Sequence, residues 1–274
     1  MISFNAFRTL GLSNATFIKP ELYLQHKELL SQTDWVLFPE YWQVNALVYG
    51  MGCRIFPSLA SYAIGHNKIE MTRAFEMVAP AYTPTTLIAA NTDTEAERVW
   101  QAMDLPFVVK LPKSSMGEGV WLVESLVDFN RYRALTDVIY AQEYLPIDRD
   151  IRVIVVGTQM VAAYWRHQSE QGFYNNVARG GIVDHSPVPY QAVQLALQVA
   201  ARLGVDHAGF DIAMVGAHPY LLEFNRLFGN QGIPGGGATL TAAIRDYLAQ
   251  QGALPADARV SFREPIALTP EVAS

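Results

Sequence analysis

Apolar and polar residues alternate along the chain with a period of two in some stretches and of about 3.6 in others. The order of these stretches predicts a mixed α/β protein. Tyr190 to Leu203 has the strongest helical period, with Val193, Ala196, Leu197, Ala200 and Leu203 on one face and Gly204 placed to end it. Further helices are expected from Asn67 to Pro80, after the capping signature Thr92-Asp-Thr-Glu95 to near Met103, and from Leu126 to Leu135. Strands are expected at VVKL and VWLV, at VIYAQEYL, at RVIVVG and MVAAYWRH as an antiparallel pair, and at AGFDIAMV and PYLLEFN. Residues 1 to about 65 read as a small irregular α/β unit, with short strands at Asp34 to Pro39 and Arg54 to Pro57 and a helix over Tyr41 to Tyr49. A loop of three glycines, Gly235 to Gly237, precedes a final helix over Thr241 to Gln250. No internal repeat or low-complexity stretch is visible.

The last two strands carry the most specific pattern. If Gly216, Ala217 and His218 form a short turn, the strands pair about Ala217, and Asp211 falls directly across from Glu223. Asn225 then shares the face of Glu223 and sits opposite Gly209. Phe210, Ile212, Met214, Leu222 and Phe224 occupy the other face and are expected in a core. Two facing carboxylates repel unless a cation lies between them, and oxygen donors suit a hard ion such as Mg²⁺, which also holds substrate phosphates. The plainer alternative is a solvated acidic face. Such a face would normally carry more than one pair of charges, and here Ala213 and Leu221 flank the pair.

Composition narrows the class. Half of the 274 residues are apolar and 17% are charged, as in an ordinary globular protein large enough for two or three subdomains. A net charge of −6 argues against a dedicated nucleic-acid or anionic-membrane binder. The single cysteine, Cys53, excludes an intramolecular disulfide and a Cys-rich zinc site, and is expected to pack as a small hydrophobe. The first residues lack a basic segment followed by an apolar one, and no apolar run reaches the roughly 18 residues of a membrane span, so a cytoplasmic location is expected.

Three further segments bear chemistry. Lys110 ends a strand and leads into a loop with Lys113, Ser114, Ser115, Gly117 and Gly119. Such a loop can turn its amides toward phosphate oxygens while lysine supplies charge, or it can be a solvated hairpin loop. It is neither a P-loop nor a Rossmann fingerprint. The strand end at Gln142, Glu143, Tyr144 and Leu145, before Pro146, could present backbone groups to an adenine edge, or be an ordinary terminus. Arg152, Arg166 and Arg179, the last accompanied by Asn176, lie between the lysine strand and the acidic hairpin and suit bidentate recognition of carboxylate or phosphate. The six histidines show no paired metal spacing.

Taken in order, these segments resemble the ATP-grasp superfamily and, within it, the ribosomal protein S6 glutamate ligase (RimK-type) family. The resemblance runs from about His66 to Ile233 through Asn67-Lys68, VVK…SSMGEGV, QEYL, DIRVIVVG, VAAYWR, NVARGG, AGFDI and LLEFN followed by GNQGI. It implies an ATP-grasp fold in which two α+β subdomains grip ATP, here residues 67–148 and 149–262, after a short N-terminal α/β domain (1–66) and before a tail (263–274). It also implies that Lys68 and Lys110 contact nucleotide phosphates, that residues 113–119 close over them, and that residues 142–145 line the adenine. Asp150 would sit near the ribose, with Asp148 as rival. Arg152, Arg166, Asn176 and Arg179 would face the γ-phosphate and an acyl intermediate. Asp211, Glu223 and Asn225 would bind Mg²⁺, or Mn²⁺ in its place. The implied reaction activates a carboxylate as an acyl phosphate for attack by an amine, with an amino acid, peptide or other small molecule as partner and a homo-oligomer allowed. A kinase acting on a small molecule and an inactive nucleotide-binding module are the alternatives. Two departures concern the substrates: Arg226 to Gly232 replaces the usual Ser-Pro-Gly run, and the N-terminal unit is short.

Overall fold

The computed structural model describes residues 1–113, 119–167 and 182–252. Contacts divide the chain into two units, one of residues 1–59 with the described residues from Arg245 on, the other of Ala60–Ile244.

In the smaller unit, four two-residue strands, β1 (Ile2–Ser3), β2 (Thr16–Phe17), β3 (Val36–Leu37) and β4 (Ile55–Phe56), form a parallel sheet in the order β2-β1-β3-β4. Its three inner-to-far strands are wholly buried, as parallel sheets are, while β2 is exposed at the edge. Helix α1 (Lys27–Gln32) precedes β3. The expected helix over Tyr41 to Tyr49 is broken into a 3₁₀ turn at Tyr41–Gln43 and a wide π-type turn at Ala46–Gly50. The side chain of Gln43 decides this: it is buried, accepts from the Glu40 amide at 2.8 Å and donates to the Pro20 carbonyl at 2.9 Å. Cys53 is half-buried, and burial pushes its thiol up to about 11, in keeping with a packing role.

The chain continues through α2 (Leu59–Ile64), which the periodicity does not signal, and α3 (Lys68–Val78), capped by Asn67, whose side chain accepts from the Glu70 amide at 3.0 Å. Next come β5 (Thr86–Ala90), α4 (Asp93–Ala102), β6 (Phe107–Lys110), β7 (Val120–Val123), α5 (Leu126–Arg133) and β8 (Val138–Glu143). The four strands make an antiparallel sheet in the order β5-β8-β6-β7. One face packs on α4 and α5 through Val99, Met103, Phe107, Val109, Phe129, Tyr132 and Ile139. Alternation therefore turns Val108, Lys110, Tyr140 and Gln142 to the other face.

The rest of the unit is a five-stranded antiparallel sheet of β9 (Arg149–Val156), β10 (Gln159–His167), β11 (Ile182–Asp184), β12 (His207–Val215) and β13 (His218–Asn225), in the order β11-β10-β9-β12-β13. Helix α6 (Tyr190–Leu203) covers one face and ends, as expected, at Gly204 with φ 70°. Ile151, Val153, Val155, Phe210, Ile212 and Phe224 meet it, together with Met71 and Phe75 of α3. Helix α7 (Gly236–Gln250) begins before the expected Thr241. Gly236 and Gly237 form its first turn because the Thr239 hydroxyl and the Gly236 amide bond back to Pro234 and Ile233, both at 2.7 Å.

The β12–β13 hairpin reaches the expected register by another route. Its turn has two residues, Gly216 (φ 61°) and Ala217, so Val215 pairs with His218. Leu222 is then an extra residue, bulging where the pairing steps from Ile212–Leu221 to Asp211–Glu223. The bulge moves Leu221 into the core at 1% exposure and leaves Leu222 half-buried, the reverse of the assignment expected from simple alternation.

Candidate functional site

On the face of the five-stranded sheet away from α6, strand register lines up Tyr164, Arg152, Asp211 and Glu223 across β10, β9, β12 and β13. Two residues along, Arg166 on β10 lies opposite Asp150 on β9. Asp150, Arg152, Arg166 and Asp211 are all buried, and they form one ion cluster. Arg152 grips Asp211 through Nε to Oδ1 and through Nη2 to Oδ2 at 3.0 Å. Arg166 grips Asp150 through Nε and Nη2 at 2.7 and 2.6 Å, and its Nη2 also reaches Asp211 Oδ1 at 2.9 Å. Burial works against the charge of Arg166, but Asp211 and Asp150 outweigh it and hold the guanidinium firmly protonated. Gly209 makes room for this arrangement, since a Cβ there would lie 2.9 Å from Cδ and Nη1 of Arg152. A cluster of this kind is weak evidence of stability, because desolvating its charges cancels much of their attraction.

A second group comes from the four-stranded sheet. Lys110 Nζ donates to Gln142 Oε1 at 2.7 Å, and Gln142 Nε2 donates to the Thr86 hydroxyl at 2.9 Å. The Tyr140 hydroxyl, 2.6 Å from that of Thr72 on α3, completes the support. Burial lowers the Lys110 ammonium to about 8, against the opposing field of Glu223. Lys68, at the start of α3, bonds through its amide to the Pro112 carbonyl at 3.0 Å, and its Nζ stands 3.7 Å from Glu223 Oε2. Burial would raise the Glu223 carboxyl, but Lys68 and Lys110 more than offset it and hold it below its ordinary value. Asn225 Nδ2 donates to Glu223 Oε1 at 3.2 Å.

Asp211, Glu223 and Asn225 thus lie together, as the hairpin pattern predicts, and their oxygens are the donors a hard divalent ion takes. Here the repulsion between the facing carboxylates is relieved by side-chain cations, Arg152 and Arg166 on Asp211 and Lys68 on Glu223. Among the described residues no group of three or more His, Cys, Asp or Glu side chains could hold a metal. An ion held by this set of two carboxylates and one amide would need further oxygen ligands of its own. Around it, four cations (Lys68, Lys110, Arg152, Arg166) face three carboxylates (Asp150, Asp211, Glu223), an excess that favours an anionic ligand.

Of the other expected site residues, Lys113 is exposed and Gly119 closes the base of its loop, its carbonyl accepting from the Leu111 amide at 2.7 Å. Ser115, Gly117, Asn176 and Arg179 lie outside the described residues, as does the expected closing loop. At the strand end, Gln142 turns toward Lys110, whereas the Glu143 carboxylate accepts from the Thr85 amide at 2.6 Å. Tyr144 and Leu145 follow, half-buried. Asp150 lies in the ion cluster, and Asp148 is exposed between β8 and β9. Sequence reasoning passed over Thr72, Thr86, Tyr140 and Tyr164. Tyr140 shares a strand face with Gln142, and Tyr164 shares one with Arg166, so two-residue alternation was the available signal.

Residues 70–247 match the family model described as the RimK-like ATP-grasp domain. A "Probable alpha-L-glutamate ligase" of Enterobacter sp. (strain 638) is 32% identical over 196 residues, covering 66% of this chain and 64% of its own length. A "Ribosomal protein bS6--L-glutamate ligase" of Escherichia coli is 34% identical over 158 residues, 55% of this chain and 52% of its own. The chain thus matches less than two thirds of the length of these relatives. Among solved structures, D-alanine–D-alanine ligase from Bacillus anthracis superposes with a TM-score of 0.66 at 14% identity, over 89% of this chain and 88% of that one, so the fold is shared.

Proposed function

Because the chain belongs to the RimK-like ATP-grasp family, we propose that it is an ATP-dependent ligase joining a carboxylate to an amine. The observation that carries this reading is the cation-rich face where Lys68, Lys110, Arg152 and Arg166 converge on Asp211 and Glu223. Phosphoryl transfer needs positioning and charge stabilisation far more than a side-chain nucleophile, and this face supplies both. Lys110, fixed by Gln142, and Lys68 meet the nucleotide phosphates. Residues 142–145 border the adenine, and Asp150, with Asp148 as its rival, would meet the ribose. Arg152 and Arg166 turn from Asp211 toward the transferred phosphoryl group, with Asn176 and Arg179 assigned to the same task.

Asp211, Glu223 and Asn225 would hold Mg²⁺, with Mn²⁺ as a substitute, entering with the nucleotide. The ion would offset charge on the phosphates when bound. In the reaction, a carboxylate oxygen attacks the γ-phosphorus and ADP leaves; the amine then attacks the acyl carbon and phosphate leaves. Relatives named as glutamate ligases, one for ribosomal protein bS6, support an amino acid as one partner and a peptide or protein as the other. A cytoplasmic location is part of this proposal; no helix among the described residues is long and apolar enough to cross a membrane.

ATP turnover with candidate amino acids and peptides, with and without hydroxylamine, tests the reading. Trapped hydroxamate is the expected result. A phosphorylated product without hydroxamate would make the protein a kinase, and nucleotide binding without turnover a binding module.

A further inference from the structure

We propose that Tyr140 is a positioning residue for the nucleotide phosphates, its hydroxyl clasping the helix that carries Lys68 to the strands that hold Lys110; this rests on the assignment of both lysines to the phosphates above. The two lysines have different supports. Lys68 opens α3, and Met71 and Phe75 of that helix pack into the core of the five-stranded sheet. Lys110 ends β6 in the four-stranded sheet. Between them stand Thr72, one turn beyond Lys68 on α3, and Tyr140 on β8, with their hydroxyl oxygens 2.6 Å apart. Both residues are buried, Tyr140 to 1% exposure, so Tyr140 acts only through its neighbours. Burial pushes its phenol up to about 12, and the hydroxyl therefore keeps its proton.

The same hydroxyl meets the amide that holds Lys110. Thr86 donates its proton to the Pro84 carbonyl at 2.7 Å, so toward Gln142 its oxygen can only accept. Gln142 therefore turns Nε2 to Thr86 at 2.9 Å and to the Tyr140 hydroxyl at 3.4 Å, which leaves Oε1 for Lys110 Nζ at 2.7 Å. That ammonium stands over the Tyr140 ring, 5.7 Å from its centroid. Thr86 alone suffices to orient the Gln142 amide. What Tyr140 adds is the link to α3, and with it a fixed separation between two ammonium groups that repel each other and are both drawn to Glu223. Without that link the buried Thr72 hydroxyl loses its partner, and the helix bearing Lys68 can shift on the strand.

The test compares calorimetric affinities for ADP and for adenosine, which has no phosphates, alongside urea unfolding. Tyr140→Phe should weaken ADP at least about fivefold and adenosine by no more than about twofold, a split that general loosening of the site would not produce. Equal weakening of both ligands, or an unchanged ADP affinity, would overturn the proposal. Tyr140→Phe leaves Thr72 without its partner, whereas Tyr140→Phe with Thr72→Val replaces both hydroxyls by apolar groups. The urea midpoint of that double variant should therefore recover most of the loss while its ADP affinity stays low. Recovery of both together would make the pair purely structural and overturn the proposal. In a Lys110→Met chain, Tyr140→Phe should cost no more than about twofold in ADP affinity, because the separation of the two charges no longer matters; the full loss there would also overturn it. If Tyr140→Phe does not fold, the double variant decides by the same comparison of ADP with adenosine. An ADP affinity that survives Lys110→Met would sink the phosphate assignment and this proposal with it. Loss of ADP affinity in Lys110→Met but not in Tyr140→Phe would sink the proposal alone.

Discussion

Lys110 ends a strand of four buried residues, and its ammonium is lowered by burial from 10.5 to about 8, with Glu223 pulling it back up. Nucleotide phosphates would favour the charged form still more. ATP should therefore bind most tightly below pH 8 and more weakly as the ammonium is lost above it, and binding near pH 8 should take up a proton. Calorimetry in two buffers of different ionisation enthalpy reads that uptake directly; none at pH 8 would remove Lys110 from the phosphate site. Lys110→Met should lower ATP affinity or turnover at least about tenfold and abolish the uptake. Glu223→Ala should eliminate turnover with the fold intact, because Leu221 and Phe224, not Glu223, face the core. Near-normal turnover in that variant at saturating Mg²⁺ would sink the metal assignment. The same change removes the anion that raises Lys110, so the pH transition in ATP binding should move lower.

The β12–β13 hairpin shows how one strand irregularity sets a site. The two-residue turn alone would put Asp211 out of step with Glu223, and the bulge at Leu222 restores their pairing. Leu221→Ala should then cost about 2–5 kcal/mol in urea unfolding, as a core truncation does, and Leu222→Ala about 1 kcal/mol or less. The reverse order would mean that the hairpin pairs without the bulge. On the same sheet, Gly209 is the gap that Arg152 fills. Gly209→Ala should push Arg152 off Asp211 and crowd Ile154, whose Cδ1 would lie 3.2 Å from the new Cβ, so both kcat and the urea unfolding midpoint should fall.

The chain's two units allow a prediction at larger scale, since every described residue assigned to the nucleotide lies within Ala60–Ile244. A non-hydrolysable ATP analogue with Mg²⁺ should slow hydrogen exchange in β6, β8 and the β9–β12–β13 face and leave β1, β3 and β4 unchanged. Equal slowing in residues 1–59 would contradict placing the nucleotide inside the larger unit.

Period and punctuation in the chain were sufficient for most elements of the larger unit. Asn67, Thr92 and Gly204 terminate helices where their side chains or backbone freedom require it. The facing of Asp211 and Glu223 came out as expected only because the bulge at Leu222, which alternation does not signal, offset a turn one residue shorter than expected. Less legible was whatever depends on contacts distant in sequence. Gln43 breaks a helix because Pro20 accepts from it, and Leu222 leaves the core because the turn is one residue shorter than expected. The pairing of Asp150 with Arg166, and of Asp211 with Arg152, follows from which strands became neighbours in the sheet. Residue type announces a charge, but its partner is chosen by the fold, since only packing brings two buried ions within hydrogen-bonding distance.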